Sequence, residues 1–312
     1  MNRGLYDTVG LRMPITPYEF LKIGEYLEDV KHHGKYIEGH VENFRVVLRS
    51  KGIYLVGSVA TFLYEKNIHT LTYEEIPLAL YKLGKMLHLD LFKAQVVSLD
   101  LAQTYNTQES PSVYFDYLGL HQKLNRHTKI GSLYYGFRTS SNLSLPKQLC
   151  FYDKGAEMKQ QHHGAVGGRN LLRYELRLRK QLQMQLRLED PITADMLMDK
   201  DFYQILLAFY QSEYEAIEKL PQLIDVIDLR DTSTPAKTAE LVFARLLMDR
   251  LKQEPDFLSE FHTKAKAYSI YPQNIYYKRF KELLDEILEK YTIHKTSNLI
   301  EELDDKILST AV

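Results

Sequence analysis

The sequence predicts an α+β fold: an antiparallel sheet with flanking helices in residues 1–190, followed by an all-helical C-terminal domain in residues 191–312. Three observations lead to this prediction. Apolar and polar residues alternate repeatedly through residues 6–180, as in half-buried strands. Segments with an apolar residue at every third or fourth position lie between them, as in amphipathic helices. After Asp190-Pro191 only the helical spacing continues.

Strands are predicted where apolar residues alternate or form short β-branched runs. These segments are residues 6–13, 40–50, 52–65, 94–105, 131–138, 147–153 and 169–180. The second and third form a predicted hairpin, because Ser50-Lys51-Gly52 is a turn sequence. The last segment alternates most clearly, with leucines and a tyrosine on one face and arginines and Glu175 on the other.

Helices are predicted where apolar residues recur with the 3.6-residue period. In chain order these are residues 15–27, 71–87, 110–124, 202–220, 238–251 and 274–291. Thr16 followed by Pro17 is typical of a helix N-terminus. Thr72 and Glu75 predict a capping box at the start of the second helix.

The composition is that of a soluble globular protein, with 45% apolar and 26% charged residues among 312. We find no apolar run long enough to span a membrane, and the N-terminus lacks the apolar core of a signal peptide. The single cysteine, Cys150, excludes an internal disulfide and fits a reducing compartment. We therefore expect a soluble cytoplasmic protein with no membrane partner.

The charge is unevenly distributed along the chain. The net charge is −1, yet residues 129–187 contain eleven lysines and arginines and only three acids. A basic segment in a chain that is otherwise acidic is typical of a groove that binds a polyanion. The alternative is a solvated charged face without a ligand.

Polar residues stand in three strands where apolar packing is the default. Asp100 interrupts the run VVSLDLA, Tyr152 ends QLCFY with Glu157 shortly after it, and Glu175 lies between arginines. Acids within sheet strands are costly unless they are paired or bind a metal. One alternative is therefore structural: Asp100 pairs with an arginine of the last strand, and Glu175 belongs to a cross-strand ladder of ion pairs.

The other alternative is catalytic. Carboxylates that converge on one sheet face can hold Mg²⁺ or Mn²⁺, which polarises a phosphodiester. Nearby Lys154, Arg173 and Arg177 are candidates for binding DNA phosphates, and so are Lys147 and Arg138 of the same basic segment. A tyrosine hydroxyl directed at the phosphorus would complete a transesterase that forms a covalent phosphotyrosine.

The ordered set VVSLDLA, GSLYYGFR, QLCFYDKGAE and LLRYELRLRK resembles the replication initiation factor family. This family includes rolling-circle plasmid Rep proteins and relaxases of integrative elements. YDTVGLRM and the pair FYDKGAE and LLRYELRLR are similar to the gene II replication proteins of filamentous phages. The resemblance covers roughly residues 5–190 and implies a DNA-nicking and joining domain there. Residues 191–312 would then serve origin recognition or oligomerisation.

The resemblance implies roles for particular residues. Tyr152 falls on the nicking nucleophile, Asp100 and Glu175 on metal ligands, and Glu157 on a third acid that follows the tyrosine. Lys154 would ease deprotonation of the tyrosine or bind phosphate. The sequence departs from the plasmid pattern at Thr104, where a second acid is common, and in the longer spacer TSSNLSLPK.

The resemblance also implies a reaction and its partners. The expected protein nicks and rejoins single-stranded or cruciform origin DNA through a 5′-phosphotyrosine, with Mg²⁺ or Mn²⁺. It works with a host helicase and polymerase, and as a homodimer. The alternative is a non-catalytic protein that binds origin DNA. A tyrosine recombinase fits poorly, because its His-x-x-Arg element is missing from the helical segments.

Overall fold

A ten-stranded antiparallel sheet forms the centre of the fold. The computed structural model describes residues 4–65, 68–136, 146–160, 169–220, 222–225, 234–253, 257, 275–295 and 297–309. The strands of the N-terminal part are β1 (Tyr6–Met13), β2 (Glu28–His32), β3 (Ile37–Val41), β4 (Phe44–Arg49), β5 (Gly52–Ser58) and β6 (Gln95–Thr107). Those that follow are β7 (Leu118–His121), β8 (Asn125–Lys129), β9 (Ser132–Gly136), β10 (Lys147–Asp153), β11 (Asn170–Leu178), β12 (Ile217–Lys219), β13 (Gln222–Asp225) and β14 (Thr292–Lys295). The order in the large sheet is β2-β3-β4-β5-β1-β6-β11-β10-β9-β8.

The described residues contain ten α-helices. They are α1 (Pro17–Glu25), α2 (Val59–Tyr64), α3 (Ile76–Leu87), α4 (Pro111–Phe115), α5 (Lys154–Gln160), α6 (Leu182–Gln185), α7 (Lys200–Glu215), α8 (Pro235–Gln253), α9 (Ile275–Tyr291) and α10 (Asn298–Leu308). No helix of the described segments is both long and apolar enough to cross a membrane. Together with the antiparallel sheet, these helices confirm the predicted α+β class.

The predicted strands of the sheet centre are confirmed. β1 and β10 have the predicted bounds, and β6, β9 and β11 lie within or close to the predicted segments. The hairpin that turns at residues 50–51 is also present, as β4 and β5. The predicted strand over residues 40–50 is divided by a second turn at Glu42-Asn43. The segment 52–65 is a strand only to Ser58, because the side chain of Ser58 caps α2.

Two predicted helices needed correction. The segment 110–124 contains only the short helix α4 and then β7, because β7 pairs with β12, a partner distant in sequence. For the same reason the helix predicted over residues 202–220 ends at Glu215. The short apolar runs in these segments fit both the helical period of 3.6 residues and the strand period of two, and pairing with a distant strand decides between them.

The helix predicted over residues 71–87 begins later, at Ile76. Pro77 lacks a backbone N–H and is tolerated only in the first turn of a helix, which fixes this start. The predicted capping box is therefore only half formed. The Glu75 carboxylate accepts a hydrogen bond from the backbone N–H of Thr72 at 2.9 Å, but the helix has no side-chain cap of its own. At α1, Thr16 caps as predicted and forms a complete box with Glu19.

The two faces of the large sheet differ in character. Leucines, Phe151 and Tyr174 of the central strands point to one face, where they join the hydrophobic core. Tyr174 packs there on Tyr210 of α7, with ring centroids 4.3 Å apart. The residues between them in sequence, including Asp100, Tyr152 and Glu175, lie on the opposite face. We call this second side of the sheet the polar face.

The C-terminal part is mainly helical, with the short strands β12 to β14 added to the predicted helices. Helices α8 and α9 lie where the sequence predicts them. The core of the large sheet contains buried residues of α7 and also Ile300, Leu303 and Ile307 of α10. The division of the chain into two domains at residue 190 stays a prediction.

Candidate active site

Three central strands bring the predicted residues Asp100, Tyr152 and Glu175 together on the polar face. The β10–β11 register places Tyr152 opposite Arg173 and Cys150 opposite Glu175. The β11–β6 register places Arg173 opposite Thr104, and Arg177 opposite Asp100. Directly opposed residues of neighbouring strands share a face, so these side chains form one surface. The alternation of apolar and polar residues in β6, β10 and β11 is what puts them there.

The Tyr152 hydroxyl donates a hydrogen bond of 2.7 Å to Oε1 of Glu175. Burial raises the pKa of Tyr152 well above its ordinary value, and the adjacent Glu175 carboxylate raises it further, while Arg173 opposes both. The hydroxyl is therefore protonated in this arrangement. A nucleophilic tyrosine needs a proton acceptor, and the group in contact with it is Glu175.

Glu175 is held between two arginines. Its Oε1 lies 3.0 Å from Nε of Arg173, and its Oε2 accepts from Nε and Nη2 of Arg177 at 2.8 and 2.6 Å. Burial by itself would raise the pKa of Glu175, but Arg177 and Arg173 outweigh it and lower the pKa to about 2. The carboxylate is therefore ionised. Two guanidinium groups against one carboxylate leave these three side chains with a net positive charge.

Asp7 of β1 belongs to this cluster, although sequence reasoning missed it. Its Oδ2 lies 3.0 Å from Nη2 of Arg173, and its Oδ1 accepts a hydrogen bond from the Ser58 hydroxyl at 3.1 Å. Arg173 also donates to the hydroxyl of Thr104 at 3.1 Å, at the position where plasmid proteins commonly carry a second acid. The available signal was the same as for Asp100, an acid within an otherwise apolar, alternating strand.

Lys154 begins α5, directly after β10, and its side chain is fully buried. Its ammonium group forms an ion pair of 2.5 Å with Glu157 and lies 5.8 Å from the centre of the Tyr152 ring. Burial lowers the pKa of Lys154, and the nearby Arg173 lowers it further. The ammonium thus faces the ring of the tyrosine rather than the solvent.

Asp100 lies beside the tyrosine cluster on β6. Its Oδ2 accepts a hydrogen bond of 2.8 Å from Arg179, whereas its Oδ1 is buried without a hydrogen-bond partner. Burial raises the pKa of Asp100 to about 7, despite the opposing effect of Arg179. An acid shifted toward its neutral form in a polar cluster is typical of functional sites.

The three predicted metal ligands do not converge. Among the described residues no group of three or more histidine, cysteine or acidic side chains is arranged to hold a metal ion. Asp100 is paired with Arg179, Glu157 with Lys154, and Glu175 with two arginines. A divalent ion needs several carboxylate oxygens that are free to coordinate it, so this arrangement does not fit one. The use of Mg²⁺ or Mn²⁺ stays a prediction.

The ion-pair alternative accounts for part of this geometry. Asp100 does pair with an arginine next to the last strand of the sheet. Glu175 pairs along its own strand with Arg173 and Arg177, two residues away on either side, rather than across strands as that alternative supposed. The cross-strand contact of Glu175 is the hydrogen bond from Tyr152, which an ion-pair ladder does not require.

Two predicted DNA-binding residues lie apart from this cluster. Lys147 belongs to the opposite, apolar face of the sheet, where its ammonium is 2.5 Å from Glu213 of α7. Arg138 lies outside the described residues. The side chain of Arg177 is 29% exposed and that of Arg173 is fully buried, so of these two arginines Arg177 is the one a ligand can reach.

Comparison with known families agrees with the resemblance seen in the sequence. Residues 63–194 match the family model described as the N-terminal region of the replication-associated protein encoded by gene II of filamentous phages. The matched segment contains Asp100, Tyr152 and Glu175, whereas Asp7 lies before it. No curated protein matches the chain significantly. The match agrees with the gene II-like resemblance and is limited to residues 63–194.

Proposed function

We propose that this chain, whose residues 63–194 match the gene II family model, nicks and rejoins single-stranded origin DNA in rolling-circle replication. The observation that carries the proposal is the hydrogen bond between the Tyr152 hydroxyl and the ionised Glu175 carboxylate. It supplies a nucleophile and its proton acceptor on one sheet face, next to a positively charged group that a phosphate can reach.

In the proposed reaction the Tyr152 oxygen attacks the phosphorus of the scissile phosphodiester. The bond from phosphorus to the 3′-oxygen breaks, which leaves a 5′-phosphotyrosine and a free 3′-hydroxyl. The tyrosine proton passes to Glu175, and water protonates the departing 3′-oxygen. One phosphodiester replaces another, so the energy of the bond is conserved for rejoining, in which a 3′-hydroxyl attacks the phosphotyrosine.

The arginines control how readily Glu175 accepts the tyrosine proton. At rest, Arg177 stabilises the ionised form of Glu175 and holds its pKa low. A phosphate that binds Arg177 competes for this guanidinium and so raises the proton affinity of the carboxylate. Once Glu175 is protonated, the guanidinium group of Arg177 faces the negative charge that develops on the phosphoryl oxygens. Lys154 would then stay close to the phenolic ring as that ring loses its proton.

The proposal includes the partners that the resemblance implies. The exposed 3′-hydroxyl would prime a host polymerase, and a host helicase would displace the strand. The helices of residues 191–312 would recognise the origin or join two copies of the chain into a homodimer. Mg²⁺ or Mn²⁺ is kept as the predicted cofactor, and no step above depends on it.

The test is covalent capture of DNA. Wild-type protein is incubated with single-stranded origin DNA and Mn²⁺, and protein–DNA adducts that survive denaturant are measured. We expect an adduct with wild type and none with Tyr152→Phe. Tyr134→Phe is the matched control, since Tyr134 lies opposite Cys150 on the same face of the neighbouring strand. It should leave the adduct unchanged.

The Tyr152→Phe variant should fold, because it removes one hydrogen bond to the ionised Glu175, worth about 1.5 to 3 kcal/mol, and leaves Glu175 paired with Arg173 and Arg177. Its melting curve therefore separates a lost nucleophile from a lost fold. An adduct that persists in Tyr152→Phe, or that never forms with wild type on its cognate origin, contradicts the proposal. In the second case a non-catalytic DNA-binding protein is the better description.

A further inference from the structure

A groove of about 790 Å³ lies at the other end of the polar face, among β1, β4, β5 and the start of β6. Its lining combines basic and aromatic side chains, which are Arg12, Tyr36, Arg45, Arg49, Lys51 and Tyr54. All of these residues precede the segment that matches the gene II family model. The groove is therefore a feature of this chain that the family match does not cover.

The groove is positively charged. Among the described residues that line it there is no acid. Arg45 is paired with the adjacent Glu38 at 2.8 Å, whereas Arg12, Arg49 and Lys51 form no ion pair within the described part of the chain. Three uncompensated cations close together attract a polyanion and are paired most readily with phosphates.

Aromatic rings accompany these charges. Tyr54 lies between Arg12 of β1 and Val47 of β4 in the sheet register, and its side chain is only half-buried. Tyr36 is also half-buried and stacks on His33, and the guanidinium group of Arg49 lies 5.8 Å from the centre of its ring. Partly exposed rings next to cations are the arrangement on which unpaired bases stack.

The groove and the Tyr152 cluster lie on the same face of the sheet, with β1, β6 and β11 between them. Gly10 lies between them in close contact with both strands, because a Cβ at this position would lie 2.0 Å from the hydroxyl of Ser98 and 3.3 Å from that of Tyr54. Ser98 and Asp100 follow along β6 toward Tyr152. Both residues are buried, at 4% and 5% exposure, and each has a polar oxygen without a hydrogen-bond partner.

The distance between the groove and Tyr152 corresponds to several nucleotides of DNA. From Tyr54 to Tyr152 the path crosses four strand spacings and runs along β6 from Gln95 to Thr104. With ordinary strand dimensions this is about 35 Å. A DNA strand stacked as in B-form advances about 3.4 Å per nucleotide, so the gap corresponds to about ten nucleotides.

We propose that this groove binds a single strand of DNA that flanks the scissile phosphate. The inference rests on the proposed function for the position of the cut, but the groove's affinity for DNA does not require the cut. The occupant is a single strand because the half-buried tyrosines can stack only on bases that are not paired. The cations would then bind the phosphates between those bases.

The first test measures salt dependence. Affinity for a labelled oligothymidylate of about 40 nucleotides is measured by fluorescence anisotropy at about 50 and about 200 mM salt. Arg49→Gln/Lys51→Gln removes two phosphate contacts and should reduce the logarithmic salt slope by about 1.4. Wild-type affinity should thus fall about sevenfold more than that of the double variant over this range. Lys82→Gln/Lys85→Gln, two lysines of α3 outside the groove, is the matched control.

The second test separates single strands from duplex. Tyr54→Leu should weaken binding of the oligothymidylate by about tenfold and leave binding of a duplex of equal length unchanged. Tyr81→Leu, an exposed tyrosine of α3, should change neither. Melting curves confirm that each variant is folded. Equal losses for duplex and single strand would overturn the choice of occupant, and unchanged binding in both groove variants would overturn the site.

The outcomes remain distinct from those of the proposed function. If wild type forms the covalent adduct but the groove variants bind DNA normally, the groove proposal is wrong and the nicking proposal stands. If no adduct forms but the groove variants lose single-strand binding as expected, the nicking proposal is wrong and the groove proposal stands. Oligonucleotides shortened on either side of the nick show which flank the groove binds. Once the flank no longer extends about ten nucleotides from the nick, wild type and the groove variants should bind with the same affinity.

Discussion

Replacing Asp7 by asparagine tests whether the tyrosine cluster is held together from outside the family-matched segment. Asp7 is 6% exposed and contacts Arg173, whose side chain is fully buried, at 3.0 Å. Removing one partner of a buried ion pair typically costs about 3 to 5 kcal/mol. Asparagine keeps the shape, and Arg173 retains its contact with Glu175. We therefore expect the free energy of unfolding to fall by about 3 kcal/mol, at the lower end of that range.

The assay is urea unfolding at neutral pH, followed by far-UV circular dichroism because the chain has no tryptophan. Asp90→Asn is the matched control. Asp90 pairs with Lys93 at 3.4 Å, but the two side chains are 52% and 83% exposed, so its loss should cost about 0.5 kcal/mol or less. If Asp7→Asn costs no more than Asp90→Asn, Asp7 does not hold Arg173 and the account of the cluster is wrong.

Asp7 is a positioning residue in this account, because it reaches Tyr152 only through Arg173 and Glu175. Its loss should slow formation of the covalent adduct under conditions in which the variant is still folded. Asp7→Glu keeps the charge and should restore part of that rate. An adduct rate that is unchanged in a folded Asp7→Asn variant would show that Arg173 is positioned by its remaining partners.

Two further predictions concern stability. Because burial raises the pKa of Asp100 from 3.8 to about 7, its ionisation destabilises the fold increasingly between these pH values. The contribution of Asp100 to the free energy of unfolding is thus fully present below pH 3.8 and is lost as pH rises through 7. Asp100→Asn should therefore raise the free energy of unfolding by at most about 4 kcal/mol above pH 7. Near pH 4 it should change the free energy of unfolding by almost nothing. Urea titrations at both pH values check this, and a variant that is less stable than wild type at about pH 8 would refute it. Leu303→Ala in α10 should cost about 2 to 5 kcal/mol because Leu303 is fully buried, whereas Leu283→Ala, at 53% exposure, should be nearly neutral in the same assay. Equal effects of the two would mean that α10 does not share the core of the sheet.

Much of the fold followed from local pattern. The bounds of β1 and β10 were predicted because clear alternation over seven or eight residues leaves few other conformations. The wrong predictions concern short apolar runs that fit both the helical and the strand period. β7 and β12 are strands because they pair with each other, and nothing in residues 110–124 or 202–220 alone reveals that partner. Pro77 was a readable signal for the start of α3.

For the site, the sequence by itself determined which residues share a face. Alternation along β10 and β11 is enough to place Tyr152, Arg173, Glu175 and Arg177 on one side, since side chains alternate strictly along a strand. The types of residue at these positions also determined that a nucleophile, acids and cations would be close together.

Only the tertiary structure decided how those groups pair. Strand order places β1 next to β6, and so makes Asp7 a partner of Arg173, which is far away in the chain. It assigns Glu175 to Tyr152 and two arginines rather than to a shared metal site, and it extends the polar face to a basic groove. The physical reason is that alternation fixes the direction of a side chain, whereas its partner depends on register and on which strands are neighbours, and these are set by packing of the whole sheet.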